Sequence, residues 1–112
     1  MALLRCEETD NQLKVSFTDA KILDEGTILQ TGKELMEMLE KASESKPMLL
    51  DFRRVQFMSS AMIGKLVLLN KRAKAENISL TLCNVNRNVL EVFKLTRLNK
   101  IFKIIAAEAA DE

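Results

Sequence analysis

Two adjacent serines, Ser59 and Ser60, are the strongest candidates for chemistry in this sequence. They follow the apolar segment "VQFM" and precede a helix-like pattern that begins "AMIGKLVLL". A serine at a helix start accepts a hydrogen bond from an N–H group of the first turn, which contributes ~1 kcal/mol relative to alanine. The same position suits a phosphoserine, because the N–H groups and the positive end of the helix dipole tolerate negative charge. The two serines therefore indicate either a helix cap or a phosphorylation site.

The residue content of the chain excludes most kinds of catalytic and metal-binding site. The sequence contains no histidine, so serine–histidine and cysteine–histidine pairs and histidine-ligated metals cannot occur. Cys6 and Cys83 form no CxxC pair, and we expect them to be buried, reduced thiols. "GTILQTGKE" contains Gly26, Gly32 and Lys33 but is not a phosphate loop, because five residues rather than four separate its glycines. We expect neither an enzyme nor a cofactor.

The composition is that of one domain, which we expect to cover residues 1–112. Hydrophobic residues make up 47% of the chain, enough for a single core, and 17 basic residues balance 16 acidic ones to a net charge of +1. This charge favours neither nucleic acid nor an anionic membrane as a partner. The N-terminal apolar run is too short for a signal peptide, and no segment reaches the ~20 apolar residues of a membrane span. We expect a cytoplasmic protein without membrane insertion.

The first half of the sequence predicts a hairpin, a helix and a central strand. In "NQLKVSF" apolar residues alternate with polar ones, as in a half-buried strand, and "ETDNQ" offers a turn from an earlier strand over residues 3–8. From Thr27 to Ala42 the apolar positions fall on one side of a helix. "MLLDF" indicates a short strand that is buried on both faces.

The second half continues the alternation of helices and strands. A second helix is predicted from Ser59 or Ser60 to about Asn77, followed by a strand in "ISLTLC". "NRNVLEVFKL" indicates a short third helix, and "KIFKII" an edge strand. Strands and helices in this order predict an α/β mixed sheet with parallel central strands, an antiparallel N-terminal hairpin and three to four helices. The acidic tail over residues 106–112 is expected to be a frayed or solvated helix end.

The second helix has two distinct sides at about 100° per residue. Its core side carries Met62, Ile63, Leu66, Leu69 and Ala73, and its other side carries Gly64, Lys65, Leu68, Lys71 and Arg72. Leu68 is thus an apolar residue on a basic face, close to a glycine that would permit close approach by a partner. Arg53 and Arg54 could pair with a phosphate on Ser60 only if the intervening loop folds back, so they are more simply interpreted as solvated arginines.

The sequence resembles the STAS domain, which is shared by sulfate transporters and bacterial anti-sigma factor antagonists. The resemblance runs from about Gln12 to Ile105 and rests on the strand "MLLDF", a serine that opens a helix four residues before a glycine, and "LTRLNKIF" near the end. The family pattern F-M-D-S-S-G-L-G aligns with "FMSSAMIG". This resemblance implies a STAS-like mixed sheet and places the phosphorylated serine of the family on Ser60.

The resemblance also implies an anti-sigma factor antagonist that regulates transcription by partner switching. Its unphosphorylated form would bind an anti-sigma factor that is also a serine kinase, phosphorylation of Ser60 would break that complex, and a cognate phosphatase would restore it. Ser60 would then be a substrate rather than a catalyst. The partner-binding surface would comprise Ser59, Ser60, Ala61, Met62, Gly64, Lys65 and Leu68. The sequence leaves dimerisation open.

Departures from the family motif leave a second function open. Ser59 stands in place of the family's Asp, Ala61 in place of its second Ser, and Met62 in place of a Gly. Ser59 could itself be the phosphate acceptor. A domain that is no longer phosphorylated would instead be a scaffold subunit of a larger signalling or lipid-transport assembly, with the helix that begins at Ser60 as its permanent contact.

Overall fold

The computed structural model describes residues 3–106 as alternating strands and helices. The strands are β1 (Leu4–Glu8), β2 (Leu13–Phe17), β3 (Lys21–Ile22), β4 (Met48–Asp51), β5 (Phe57–Met58), β6 (Leu80–Val85) and β7 (Lys103–Ala106). The helices are α1 (Glu25–Leu39), α2 (Ser60–Ala75) and α3 (Arg87–Leu95). None of these helices is long and apolar enough to cross a membrane.

The main sheet has five strands in the order β1-β2-β4-β6-β7. β1 and β2 are antiparallel, whereas β2, β4, β6 and β7 are parallel to their neighbours. Parallel neighbours need a crossover, and here α2 connects the β4 region to β6 while α3 connects β6 to β7. The predicted mixed sheet, the antiparallel hairpin and the edge position of the last strand are confirmed.

The core lies between the helices and one face of this sheet. Leu13, Val15 and Phe17 of β2 are buried, while Lys14 and Ser16 between them are partly exposed on the other face. That alternation is the period-2 pattern of a half-buried strand. It extends into β4, where Leu49 is only half-buried, so the prediction that this strand is buried on both faces is wrong at that position.

Helix boundaries differ from the predicted ones for identifiable reasons. α1 begins before the predicted Thr27, because Asp24 caps it: the Asp24 carboxylate accepts a hydrogen bond of 2.9 Å from the Thr27 N–H. It ends before the predicted Ala42, where the chain turns toward an isolated bridge between Ser43 and Lys46.

The end of α2 lies two positions before the predicted Asn77, which adopts the left-handed backbone conformation with φ 59°. The Ile78 N–H donates to the Ala73 carbonyl at 2.8 Å, and the Asn77 N–H donates to the Lys74 carbonyl at 3.2 Å. These two bonds form the αL-terminated motif that commonly closes a helix.

The two cysteines are free and half-buried rather than buried as predicted. Cys6 lies opposite Val15, whose side chain faces the core, and Cys83 lies opposite Asp51 on the other face of the sheet. Their side chains therefore leave opposite faces of one sheet, which keeps them from pairing. The tail was predicted to begin at residue 106, one residue too early, since Ala106 belongs to β7. The rest of the predicted tail, residues 107–112, lies outside the described residues.

Candidate functional site

A small second sheet brings the starts of α1 and α2 side by side. β3 and β5 pair in parallel, with Ile22 opposite Met58, and the Ser59 N–H donates to the Ile22 carbonyl at 3.1 Å. Each strand leads directly into a helix, α1 capped by Asp24 and α2 capped by Ser59. Because these strands are parallel neighbours, both helices start at the same edge of the molecule.

The sequence carries no signal for β3, and β5 stands out only as the apolar segment "VQFM". Two-residue strands are too short to show a period of two, so no pattern could reveal them. Their role at the site depends on the pairing of two segments that are distant in the sequence.

Asp51 fixes the turn that leads from β4 toward β5. Its Oδ1 accepts hydrogen bonds from the Arg53 N–H and from the Asn84 side-chain amide, each at 2.9 Å, and Lys14 Nζ lies 3.5 Å from Oδ2. Burial by itself would raise the pKa of Asp51, but the two hydrogen bonds and the positive charge of Lys14 lower that pKa below its usual value. The ionised carboxylate therefore holds the β4–β5 turn against the bulge in β6 where Asn84 lies.

Ser59 is the N-cap of α2. Its backbone is extended, with φ −81° and ψ 161°, and its Oγ accepts a hydrogen bond from the Met62 N–H at 3.4 Å. The side chain is half-buried. This distance is at the long end for a hydrogen bond, so the cap contributes at the low end of the usual range.

Ser60 is the first residue of α2, and its side chain is exposed. Within residues 3–106 its hydroxyl makes no hydrogen bond. The two interpretations of the double serine are thus divided between the residues: Ser59 is the cap, and Ser60 carries an accessible hydroxyl that the cap does not need.

Of the other predicted contact residues, most lie on the surface of α2. Ala61 and Gly64 are exposed, Lys65 is half-buried, and Leu68 is 51% exposed. The assignment of Met62 to the contact surface is wrong, because its side chain has no exposed surface and packs in the core. Met62 faces inward with the core side of α2, so it cannot touch a partner directly.

A groove runs between α1 and α2 and begins at the two serines. Its serine end is a cavity of ≈ 440 Å³ lined by Leu23, Glu25, Leu29, Ser59, Ser60 and Lys65, among others. Its far end is a cavity of ≈ 400 Å³ lined by Leu29, Gly32, Lys33, Met36, Lys65 and Leu68, among others. Leu29 and Lys65 line both cavities, so the two form one surface, which we call the α1–α2 groove.

Three exposed leucines border the α1–α2 groove. Leu23 is 52% exposed and Leu29 is 61% exposed, close to the value for Leu68. Leu68 stands out in the sequence because it is an apolar residue on a polar helix face. The same signal was present at Leu29, which lies outside the core stripe of α1 but was not singled out. Leu23 lies in the loop before Asp24, where helical periodicity gives no signal.

Arg53 and Arg54 do not lie at the serines. Both are exposed and line a separate cleft of ≈ 240 Å³ with Arg5 and Lys14. Neither arginine lines the serine end of the α1–α2 groove, and both are exposed, as expected of solvated surface arginines. Within residues 3–106 no group of three or more cysteine, aspartate or glutamate side chains could hold a metal ion.

Together, the fold and the site define an α/β domain that presents the start of one helix, with an exposed serine, on its surface. The model of the STAS domain family matches residues 4–110, so this chain belongs to that family. The resemblance seen in the sequence is thereby confirmed.

Solved structures of anti-sigma factor antagonists share this fold. An anti-sigma-factor antagonist (STAS) domain protein from Planctomyces limnophilus is 23% identical, with a TM-score of 0.81 over 99% of this chain and 95% of that chain. The anti-sigma factor antagonist SpoIIAA in its unphosphorylated form is 17% identical, with a TM-score of 0.72 over 96% and 90%. The Bacillus cell fate determinant SpoIIAA in its phosphorylated form is 15% identical, with a TM-score of 0.66 over 96% and 94%. At these identities the likeness shows the fold.

Proposed function

We propose that this protein is a bacterial anti-sigma factor antagonist that is switched by phosphorylation of Ser60. The observation that carries this proposal is the division of roles at the start of α2, where Ser59 caps the helix and Ser60 stays exposed. A kinase can reach the Ser60 hydroxyl without breaking the cap. The helix start tolerates the added phosphate, because N–H groups of the first turn and the helix dipole favour negative charge there. The existence of SpoIIAA in two phosphorylation states supports the same proposal.

In this proposal the unphosphorylated protein binds an anti-sigma factor that is also a serine kinase, in the bacterial cytoplasm. Ser60, Ala61, Gly64, Lys65 and Leu68 provide the contact on α2. A phosphate adds about −1.5 to −2 charges to this contact, and a penalty of ~2.8 kcal/mol weakens binding about a hundredfold. ATP is bound by the kinase, and a cognate phosphatase restores the unmodified protein.

The test uses candidate serine kinases purified from the native host. Each is incubated with this protein and ATP, and the modified residue is mapped by mass spectrometry. With a kinase that modifies Ser60, we expect Ser60→Asp to weaken binding at least about tenfold, or ~1.4 kcal/mol. Ser60→Ala serves as the matched control and should bind like the unmodified protein. Equal affinity of Ser60→Asp and the unmodified protein for that kinase would overturn the proposal.

A second function, a permanent scaffold subunit, is favoured by the exposed leucines of the α1–α2 groove. It predicts a partner that co-purifies under all growth conditions. Leu68→Asp should disrupt the complex, whereas Ser60→Ala should have little effect. Ser79→Asp adds the same charge at an exposed position beyond the end of α2 and should leave the complex intact. Recovery of only free protein under every condition would argue against a scaffold.

A further inference from the structure

Lys65 is the charged side chain that connects the two ends of the α1–α2 groove. It lines both cavities and is half-buried. Glu25 is the other charged residue at the serine end, and Lys33 lines only the far end. A phosphate on Ser60 would therefore face one cation and one anion in the same cavity.

Gly32 allows the lysine stem to lie against α1. A Cβ atom added at Gly32 would be 3.1 Å from Lys65 Cδ and 3.2 Å from Lys65 Cγ, closer than ordinary van der Waals contact. A glycine inside a helix costs about 1 kcal/mol relative to alanine, and here it makes room for the stem. Gly64 differs, because a Cβ atom added there would meet nothing within 4 Å. The packing of Lys65 on Gly32 thus explains the glycine at position 32, whereas no contact in the described part of the chain explains Gly64.

The Lys65 ammonium has no ion-pair partner within residues 3–106. Lys14, Lys46 and Arg72 each pair with a carboxylate, so Lys65 differs from these cations. Its stem packs on Gly32 of α1, and Lys65 also lines the cavity that contains Ser60. A lysine can bury its stem in this way and keep its charged end in solvent. An ammonium and a phosphate within hydrogen-bond distance form a charge-assisted pair, stronger than a hydrogen bond between neutral groups.

We propose that Lys65 is the internal counter-ion for a phosphate on Ser60. This inference rests on the proposed function, because it concerns the phosphorylated form of the same site. Before modification the ammonium is available to a partner, and a carboxylate on that partner is its natural complement. After modification Lys65 pairs with the phosphate across the serine end of the groove. Phosphorylation then removes the cation that a partner would use, in addition to placing negative charge on the contact surface.

The test is a titration of the full chain carrying phosphoserine at position 60, introduced during synthesis rather than by a kinase. The second pKa of a phosphoserine lies near 6, and its ³¹P NMR signal follows that ionisation. A nearby cation favours the dianion, so we expect this pKa to be about 0.5 unit lower with Lys65 than in the Lys65→Met variant. Methionine keeps an apolar stem to pack on Gly32. The difference should shrink at high salt, because the pair is only partly buried.

Lys33→Met is the matched control, since it removes the same charge from the far end of the groove. Its effect on the phosphate pKa should be much smaller than that of Lys65→Met. Equal pKa values with and without Lys65, or equal effects of both variants, would overturn the proposal. If Lys65→Met fails to fold, the Lys65 Cε signals of the unmutated chain replace it: they should shift on phosphorylation, and unchanged signals would also overturn the proposal. Because the phosphate is built in, a failure here differs from an absence of phosphorylation in the native host.

Discussion

The starts of α2 and α3 are built from similar parts but are held differently. In α3 the cap Asn86 accepts from the Val89 N–H at 2.9 Å, and its amide also donates to the Val55 carbonyl at 2.8 Å. In α2 the cap Ser59 makes one side-chain hydrogen bond, of 3.4 Å, to the Met62 N–H. Within residues 3–106, the Asn86 side chain thus ties the helix to the β4–β5 segment, whereas the Ser59 side chain closes only its own turn.

The start of α3 is therefore fixed by its side-chain cap, whereas the start of α2 leaves its side chains accessible. The start of α3 depends on its side-chain cap, because the same amide also satisfies a carbonyl in the segment before α2. The start of α2 is held by its backbone, through the Ser59 N–H and the Ile22 carbonyl. Its side chains are therefore less constrained by folding, and Ser60 can be modified with little cost to the domain.

The largest effect should come from Asn86→Ala. This change removes two hydrogen bonds and leaves the Val55 carbonyl without its partner, so we expect a loss of about 2 kcal/mol in the free energy of unfolding. Urea denaturation measures it. Asn88→Ala, at an exposed position in the same helical turn, is the control and should change little. Similar losses for both variants would break the comparison.

Ser59→Ala should cost less, about 0.5 kcal/mol, because its capping bond is long and its backbone contact to Ile22 remains. The same urea denaturation gives the value. A loss as large as that of Asn86→Ala would show that α2 also depends on its side-chain cap, and the contrast between the two helix starts would then be wrong.

The start of α1 extends the comparison to the pH dependence of stability. We expect a still smaller effect on the free energy of unfolding, because the cap residue Asp24 is exposed. Hydrogen bonds from Thr27 lower the pKa of Asp24 from its ordinary value of 3.8. A lowered folded-state pKa means that the cap stabilises fully above the ordinary pKa and is lost as pH falls through the folded pKa. Stability of the native chain relative to Asp24→Asn should therefore fall below about pH 4. A difference that is independent of pH would contradict this assignment.

The smallest effect on folding should come from Ser60→Ala. Its hydroxyl makes no hydrogen bond within residues 3–106, so the free energy of unfolding should change by less than about 0.5 kcal/mol. Thermal and urea denaturation should both give the variant nearly the same stability as the native chain. A loss above that of Ser59→Ala would mean that Ser60, not Ser59, supports the helix start.

Much of the fold could be predicted because its signals are local. The alternation at Leu13, Val15 and Phe17 and the apolar stripe of α2 each determine an element directly. The short sheet of β3 and β5 could not be predicted, since it depends on the pairing of Ile22 with Met58, and all of α1 and β4 lie between these two residues in the sequence. Long-range pairing of such short segments leaves no periodic pattern in the sequence.

The start of α2 was predicted in position but not in detail. The adjacent serines marked the start of α2, yet the pattern could not decide which one is the cap. That assignment depends on the backbone of Ser59, which is extended while Ser60 is already helical. Met62 was assigned to both the core and the contact surface, and the rotation of α2 leaves it only in the core. Leu29 carried the same sequence signal as Leu68, but its place in the α1–α2 groove depends on the neighbouring helix.

The most direct measurement of the central claim is a phosphopeptide map of this protein from its native host, in resting and stressed cells. Trypsin cleaves after Arg54 and Lys65, so the peptide over residues 55–65 carries Ser59 and Ser60 as its only hydroxyl side chains. Fragment ions between the two residues then assign the phosphate. We predict phosphate on Ser60, with an occupancy that changes with condition. Phosphate on Ser59 alone, or on neither serine at full coverage of this peptide, would contradict Ser60 as the switch.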